Sequence, residues 1–127
     1  MAMWIFLLIC NLLIPVIMLG IGYTFRKHPP KTINWGYGYR TSRSMKNQDT
    51  WDFAHQNCGK IWLRAGCVML PVTVLLMIFL IGQGDDVLGL WSVAIEIVQT
   101  VLLVGSIIPT ELALKRRFDE QGRPREV

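Results

Sequence analysis

Three long apolar runs, residues 3–24, 61–81 and 87–109, constrain this chain more than any other feature. Each reaches the roughly 18 to 20 residues that a helix needs to cross ~30 Å of hydrocarbon. At 127 residues, 52% of them hydrophobic, the chain is too apolar for a soluble domain of its size, and little of it lies outside the runs. The expectation is an all-α fold: a single membrane domain, residues 1–127, with three transmembrane helices. The first run lacks a basic leader, is long for a signal peptide, and shows no small-x-small cleavage site after Gly22, so it is expected to remain as an anchor.

Charge fixes the expected orientation. All 13 Lys and Arg residues fall either between the first two runs or at their edges, from Arg26 to Arg64, or after the third, from Lys115 to Arg125. The short turn between the second and third runs carries only Asp85 and Asp86. Basic residues near span ends stay on the cytoplasmic side, which puts the N-terminus outside and the C-terminus inside. Two spans separate the basic segments, so both can share that side. The net charge of +4 therefore has an explanation in topology and anionic headgroups, and no nucleic-acid partner is expected. Cys10, Cys58 and Cys67 are odd in number and lie within the membrane or on its inner side, where free thiols are the expectation.

The polar stretch between the first two spans has a distinctive vocabulary. His28-Pro29-Pro30 cannot continue the first helix. Trp35, Tyr37 and Tyr39 alternate around Gly36 and Gly38 in what reads as an interfacial loop. Asn47 offers a helix N-cap to the N–H of Asp49 or Thr50. From there Trp51, Ala54, Cys58, Ile61, Trp62 and Ala65 recur at three or four, opposite Asp52, Gln56 and Lys60. This pattern predicts a cytoplasmic interfacial amphipathic helix that bends at Gly59 and Gly66 into the second span. Inside the spans Pro15 removes one helix donor, and Gly20 and Gly22 permit close approach of a neighbour. The charged tail, residues 111–127, is expected to fray.

Two groups of residues are candidate sites. Glu96 lies nine residues beyond the start of the third span, about 13 Å below its outer edge. Asn11 and Thr73 fall near the same depth, so the three spans are expected to share a polar layer. A carboxylate alone in hydrocarbon costs at least ~2.5 kcal/mol, so Glu96 should be protonated, bonded to Asn11 or Thr73, or wetted. Its plain role is glue between helices, and its functional one a proton or ligand site. The second group is Arg40, Arg43 and Lys46, spaced by three, which a helical turn would stack on one face. They suit either a solvated, topology-setting face or phosphate and carboxylate recognition. His55 and Cys58 supply only two soft ligands, short of a metal site, so neither metal nor cofactor is expected. No nucleophile, base and orienter come together in the sequence, and an enzyme is not expected.

Gly38-Tyr39-Arg40-Thr41, Ser44-Met45-Lys46-Asn47, Thr50-Trp51, Ala54-His55 and Gly59-Lys60 together closely resemble the signature of the SdpI-like family. The match in order and spacing covers about 25 of the 127 residues. The resemblance implies a small bacterial multipass protein of the inner membrane. The family takes its name from an immunity protein against a secreted, membrane-active killing peptide, which is also thought to signal by holding a repressor at the membrane. By this resemblance Tyr39, Arg40, Thr41, Ser44, Lys46, Asn47, Thr50, Trp51, His55 and Lys60 form the functional segment, acting by binding and not by catalysis. The expected partners are the bilayer with its anionic headgroups, a membrane-active peptide toxin, and a second copy of the chain. The competing reading is a small oligomeric transporter or channel-like protein with Glu96 as its proton-coupling group.

Overall fold

The computed structural model describes residues 1–34 and 36–125, so the reading of Trp35 and the last two tail positions lie outside the described residues. The chain runs through four helices: α1 (Ala2–Lys27), α2 (Gln48–Phe79), α3 (Asp85–Gly105) and α4 (Ile107–Arg117). Three helical units, α1, α2 and the nearly continuous α3–α4, are long and apolar enough to cross a membrane. The break between α3 and α4 has a local cause. Pro109 has no N–H for the carbonyl of Gly105 four residues earlier, and its ring crowds that carbonyl. Lys115, Arg116 and Arg117 in the last turn of α4 then complement its negative end.

The Asn47 cap is present, in its reciprocal form. Asn47 Oδ1 accepts from the Thr50 N–H at 2.9 Å, while Thr50 Oγ1 accepts from the Asn47 N–H at 3.0 Å. Beyond the cap, the structure departs from expectation. No separate interfacial helix forms: residues 48–60 are the first turns of α2, a single helix of 32 residues. Its glycines Gly59 and Gly66 face α1. A Cβ on Gly22 would stand 3.0 Å from the Gly59 carbonyl, and one on Gly59 would stand 2.8 Å from the Gly22 carbonyl. The two backbones touch because neither residue has a side chain. Gly20, by contrast, faces open space.

The apolar face of the early α2 turns is covered by protein. Ala54 and Cys58 are buried with Phe25, Tyr39, Leu114 and Phe118 in one core cluster, and Trp51 is fully buried beside His55. A second cluster, Met77, Leu80, Leu88 and Ile95 with Trp4, Leu7 and Leu8 against it, closes the opposite end of the bundle. Most remaining large apolar side chains face outward, as lipid-facing surfaces must.

The tail does not fray at Glu111, as α4 runs on to Arg117. Beyond it, Asp119 organises a turn, its Oδ1 accepting from the N–H groups of Gln121 and Arg123 at 3.0 and 2.8 Å. Phe118 pairs with Pro124 in an isolated bridge and sets its ring edge-on to Phe53. The sequence shows charge here; the structure shows that Phe118 is nevertheless a core residue.

Candidate functional site

At the end of the bundle that carries the basic residues, the loop between α1 and α2 folds into a cap, and the geometry starts at Gly38. Its φ of +124° belongs to the left-handed region, and a Cβ there would meet His55 Nε2 at 2.7 Å and the Trp51 ring at 3.0 Å. That backbone bend aims the Tyr39 N–H at His55 Nε2, 2.9 Å away. Since Nε2 accepts, the ring proton sits on Nδ1 and is donated to the Trp51 carbonyl at 2.8 Å. His55 is therefore a neutral imidazole with both nitrogens engaged, and its burial lowers its pKa below the ordinary histidine value. Phe25 packs edge-on to the same ring.

The other signature side chains close around this contact. Ser44 Oγ donates to the Tyr39 carbonyl at 2.8 Å and accepts from the Thr41 N–H at 2.9 Å, while Thr41 Oγ1 accepts from the Ser44 N–H. Thr50 Oγ1 donates to the Ser44 carbonyl at 3.0 Å. Trp51 Nε1 donates to the Pro30 carbonyl at 2.6 Å, tying the start of the loop to α2. Asn47 Nδ2 reaches across to the Gly122 carbonyl at 2.6 Å, so the tail turn docks on the α2 cap. The Tyr39 hydroxyl donates to Glu111 Oε1 at 2.9 Å, and burial, with the Glu111 carboxylate second, holds the phenol far above its usual pKa. Glu111 also faces Arg43, at 3.7 Å.

Tyr39, Ser44, Thr50, Trp51 and His55 are thus buried members of one network, with Thr41 and Asn47 at its edge. The basic residues are placed differently. Arg40, Lys46 and Lys60 are exposed and Arg43 half-buried. On the turn closed by the Met45 N–H to the Thr41 carbonyl at 3.1 Å, Arg43 and Lys46 share a face, and Arg40 lies on another. Arg43 and Lys46 line a cleft of about 300 Å3 with Thr50, Phe118, Asp119 and Glu120, whereas Arg40 borders a neighbouring groove with Tyr37, Phe25 and Trp62. Glu111 was the residue that sequence reasoning missed. It reads as part of a charged tail, and nothing local marks it as the acceptor for Tyr39.

Deeper in the bundle, Asn11 and Thr73 do come together, but through Gln99 and not Glu96. Pro15 leaves the Asn11 carbonyl without its helix donor. Gln99 Nε2 supplies one at 2.9 Å and also reaches Thr73 Oγ1 at 2.9 Å. Asn11 Nδ2 donates to Ser92 Oγ at 3.1 Å and lies 3.3 Å from Met77 Sδ. All three spans therefore share the polar layer, with α3 contributing Ser92 and Gln99. Glu96 is set to one side, and its Oε1 finds no donor among the described residues. The missed members had a signal: Leu88, Ser92, Ile95 and Gln99 recur at three and four along the buried stripe of α3.

Comparison with known proteins yields one family. The SdpI/YfhL protein family matches residues 31–110, a stretch that holds most of the loop, Thr73, Ser92 and Gln99 and ends just before Glu111. A Bacillus subtilis (strain 168) protein known as the uncharacterized protein YfhL is 29% identical over 102 residues, covering 80% of this chain and 79% of its own. No solved structure matches significantly.

Proposed function

The chain belongs to the SdpI/YfhL protein family, and from that premise we propose that this multipass membrane protein protects the bacterial inner membrane by binding. Its targets are a membrane-active peptide and the anionic headgroups around it, met at the cap. The N-terminus lies outside and the cap faces the cytoplasm, with the basic residues where retention on that side requires them.

One observation carries this reading: the signature's polar side chains are used on each other, and the cations are what the cap presents outward. Arg40, Lys46 and Lys60 are exposed at the same end as Lys115, Arg116 and Arg117. A rigid mount reduces the ordering cost of binding, and guanidinium groups suit phosphate and carboxylate. The signature thus acts mainly by holding the cations in place. His55, with both ring nitrogens engaged inside the cap, is a structural member of it and not a base.

The test is a survival assay in sensitive bacteria challenged with membrane-active peptides. Cells expressing the protein should survive doses that kill cells without it, and Arg40→Ala with Lys46→Ala should lose most of that margin at unchanged expression. Equal survival with and without the protein, across the peptides tried, rejects the proposal.

A further inference from the structure

Arg64 is the one Lys or Arg inside the three apolar runs, a turn further along α2 than Lys60. It is exposed, and its side chain makes no hydrogen bond or ion pair with any described residue. The chain has no counter-charge to give it, because no Asp or Glu occurs in residues 1–48, 53–84 or 97–110. A guanidinium at the edge of hydrocarbon is costly unless an anion or water meets it. Lys60, four residues earlier on the same face and also exposed, adds a like-charge repulsion that a shared anion relieves.

Arg64 stands at the head of a seam. Although a short turn joins α2 to α3, their backbones keep apart while both pack on α1. The Trp62 Nε1 bond to Ser106 Oγ, at 2.8 Å, sets the head of the seam level with the end of α3. From there a groove of about 670 Å3 runs between Arg64 and Val68 on one wall and Val101, Leu102 and Gly105 on the other. A Cβ on Gly105 would meet nothing, so that wall is open. Past Met69 and Leu102 the groove continues into a hollow of about 210 Å3 that reaches Leu76 and Trp91, with the buried Gln99–Thr73 bond beneath it. From Arg64 to Leu76 the helix rises about 18 Å, close to the ~15 Å of hydrocarbon in one leaflet.

We propose that the seam between α2 and α3 seats one anionic phospholipid, its phosphate on Arg64 and Lys60 and one acyl chain along Val68, Leu102 and Val98 to the level of Leu76. The lipid matches both halves of the site: phosphate accepts from a guanidinium in bidentate fashion, and a chain from the same leaflet has the length of the groove. A second copy of the protein does not match it, since a two-fold partner at the same depth sets Arg64 against Arg64. The seat lies below the cap, and the inference does not rest on the binding assigned there to Arg40 and Lys46.

The experiment releases the full chain from nanodiscs of equal parts phosphatidylglycerol and phosphatidylcholine with matched acyl chains, and weighs it by native mass spectrometry. One phosphatidylglycerol per chain should be retained, about fivefold or more over phosphatidylcholine. Arg64→Gln should bring the two lipids to parity. Gly105→Leu, which keeps the guanidinium and fills the groove, should lose the retained lipid as well. A second measurement needs no variant: phosphatidylglycerol with a photoreactive acyl chain should label residues 68–76 and 98–105 in preference to the outward face of α1. Excess glycerol phosphate should not displace the lipid, because the chain is half of what is recognised. Parity of the two lipids on the unaltered protein overturns the proposal, as does label spread evenly over the lipid-facing residues, or displacement by glycerol phosphate. Retention that persists in Arg64→Gln but falls in Arg40→Ala with Lys46→Ala puts the lipid at the cap, which overturns this seat and leaves the cap reading intact. A lipid-free dimer overturns it too, by putting a second copy in the seam.

Discussion

His55 is the most chemically exacting residue of the cap, because one protonation state alone fits its two hydrogen bonds. A second ring proton would face the Tyr39 N–H, so the folded cap keeps the imidazole neutral, and burial lowers its pKa. In the opened loop His55 takes a proton near its ordinary value of about 6.5. The sign follows: the cap holds its full stability above that pH, where both states are neutral. It loses stability as pH falls below it, where only the opened state binds the proton. Thermal unfolding in detergent should therefore show a melting temperature that drops between pH 7.5 and about 5.5, and His55→Gln should flatten that slope. A wild-type profile no steeper than that of the variant would remove His55 from this role. Gly38 is the second exacting position. Gly38→Ala meets both a left-handed φ and a 2.7 Å clash with His55, and should cost about 2 kcal/mol or more in unfolding free energy. The same substitution at Gly82, whose Cβ would meet nothing, should cost less.

Among the elements, α1 holds the bundle together, since it packs against both α2 and α3. Gln99 is the side chain that ties α3 to the other two spans, through the carbonyl freed by Pro15 and through Thr73. Gln99→Leu leaves that carbonyl without its side-chain donor. It should destabilise the bundle by about 1 kcal/mol, read from denaturant titration in mixed micelles. A change indistinguishable from zero would make the layer incidental. This scale also separates what the sequence made legible from what it hid. The three spans are legible because length and apolarity suffice, and the start of α2 because Asn47 and Thr50 form a local cap. The lie of residues 48–60 is not. Periodicity in Trp51, Ala54 and Cys58 says that one face is buried, but a lipid surface and a protein partner ask for the same pattern. Glycines at 59 and 66 suit a bend or a close contact equally, and it takes the structure to show Gly59 against Gly22 and Gly66 against Leu19. Depth counting brought Asn11 and Thr73 together, yet it assigned Glu96 the place that Gln99 holds. Depth fixes height in the membrane and leaves the direction around the helix open.

For the molecule as a whole, the loop and the tail make one cap at one end of a three-span bundle. Shared charge in the sequence suggested only that the two segments lie on the same side. The contacts that join them, Tyr39 to Glu111 and Asn47 to Gly122, bridge more than seventy residues of sequence. No local pattern announces such pairs. If the cap is the mount for the basic rim, the two segments must be fixed relative to each other in the membrane-embedded protein. Spin labels at Lys46→Cys and Glu120→Cys, in a background with the three native cysteines replaced, report this directly, because both positions line the same cleft. Pulsed dipolar spectroscopy in nanodiscs should give a single short, narrow distance that broadens in Gly38→Ala. A broad distribution in the otherwise unaltered protein, the same with and without Gly38→Ala, would contradict the cap and the function built on it.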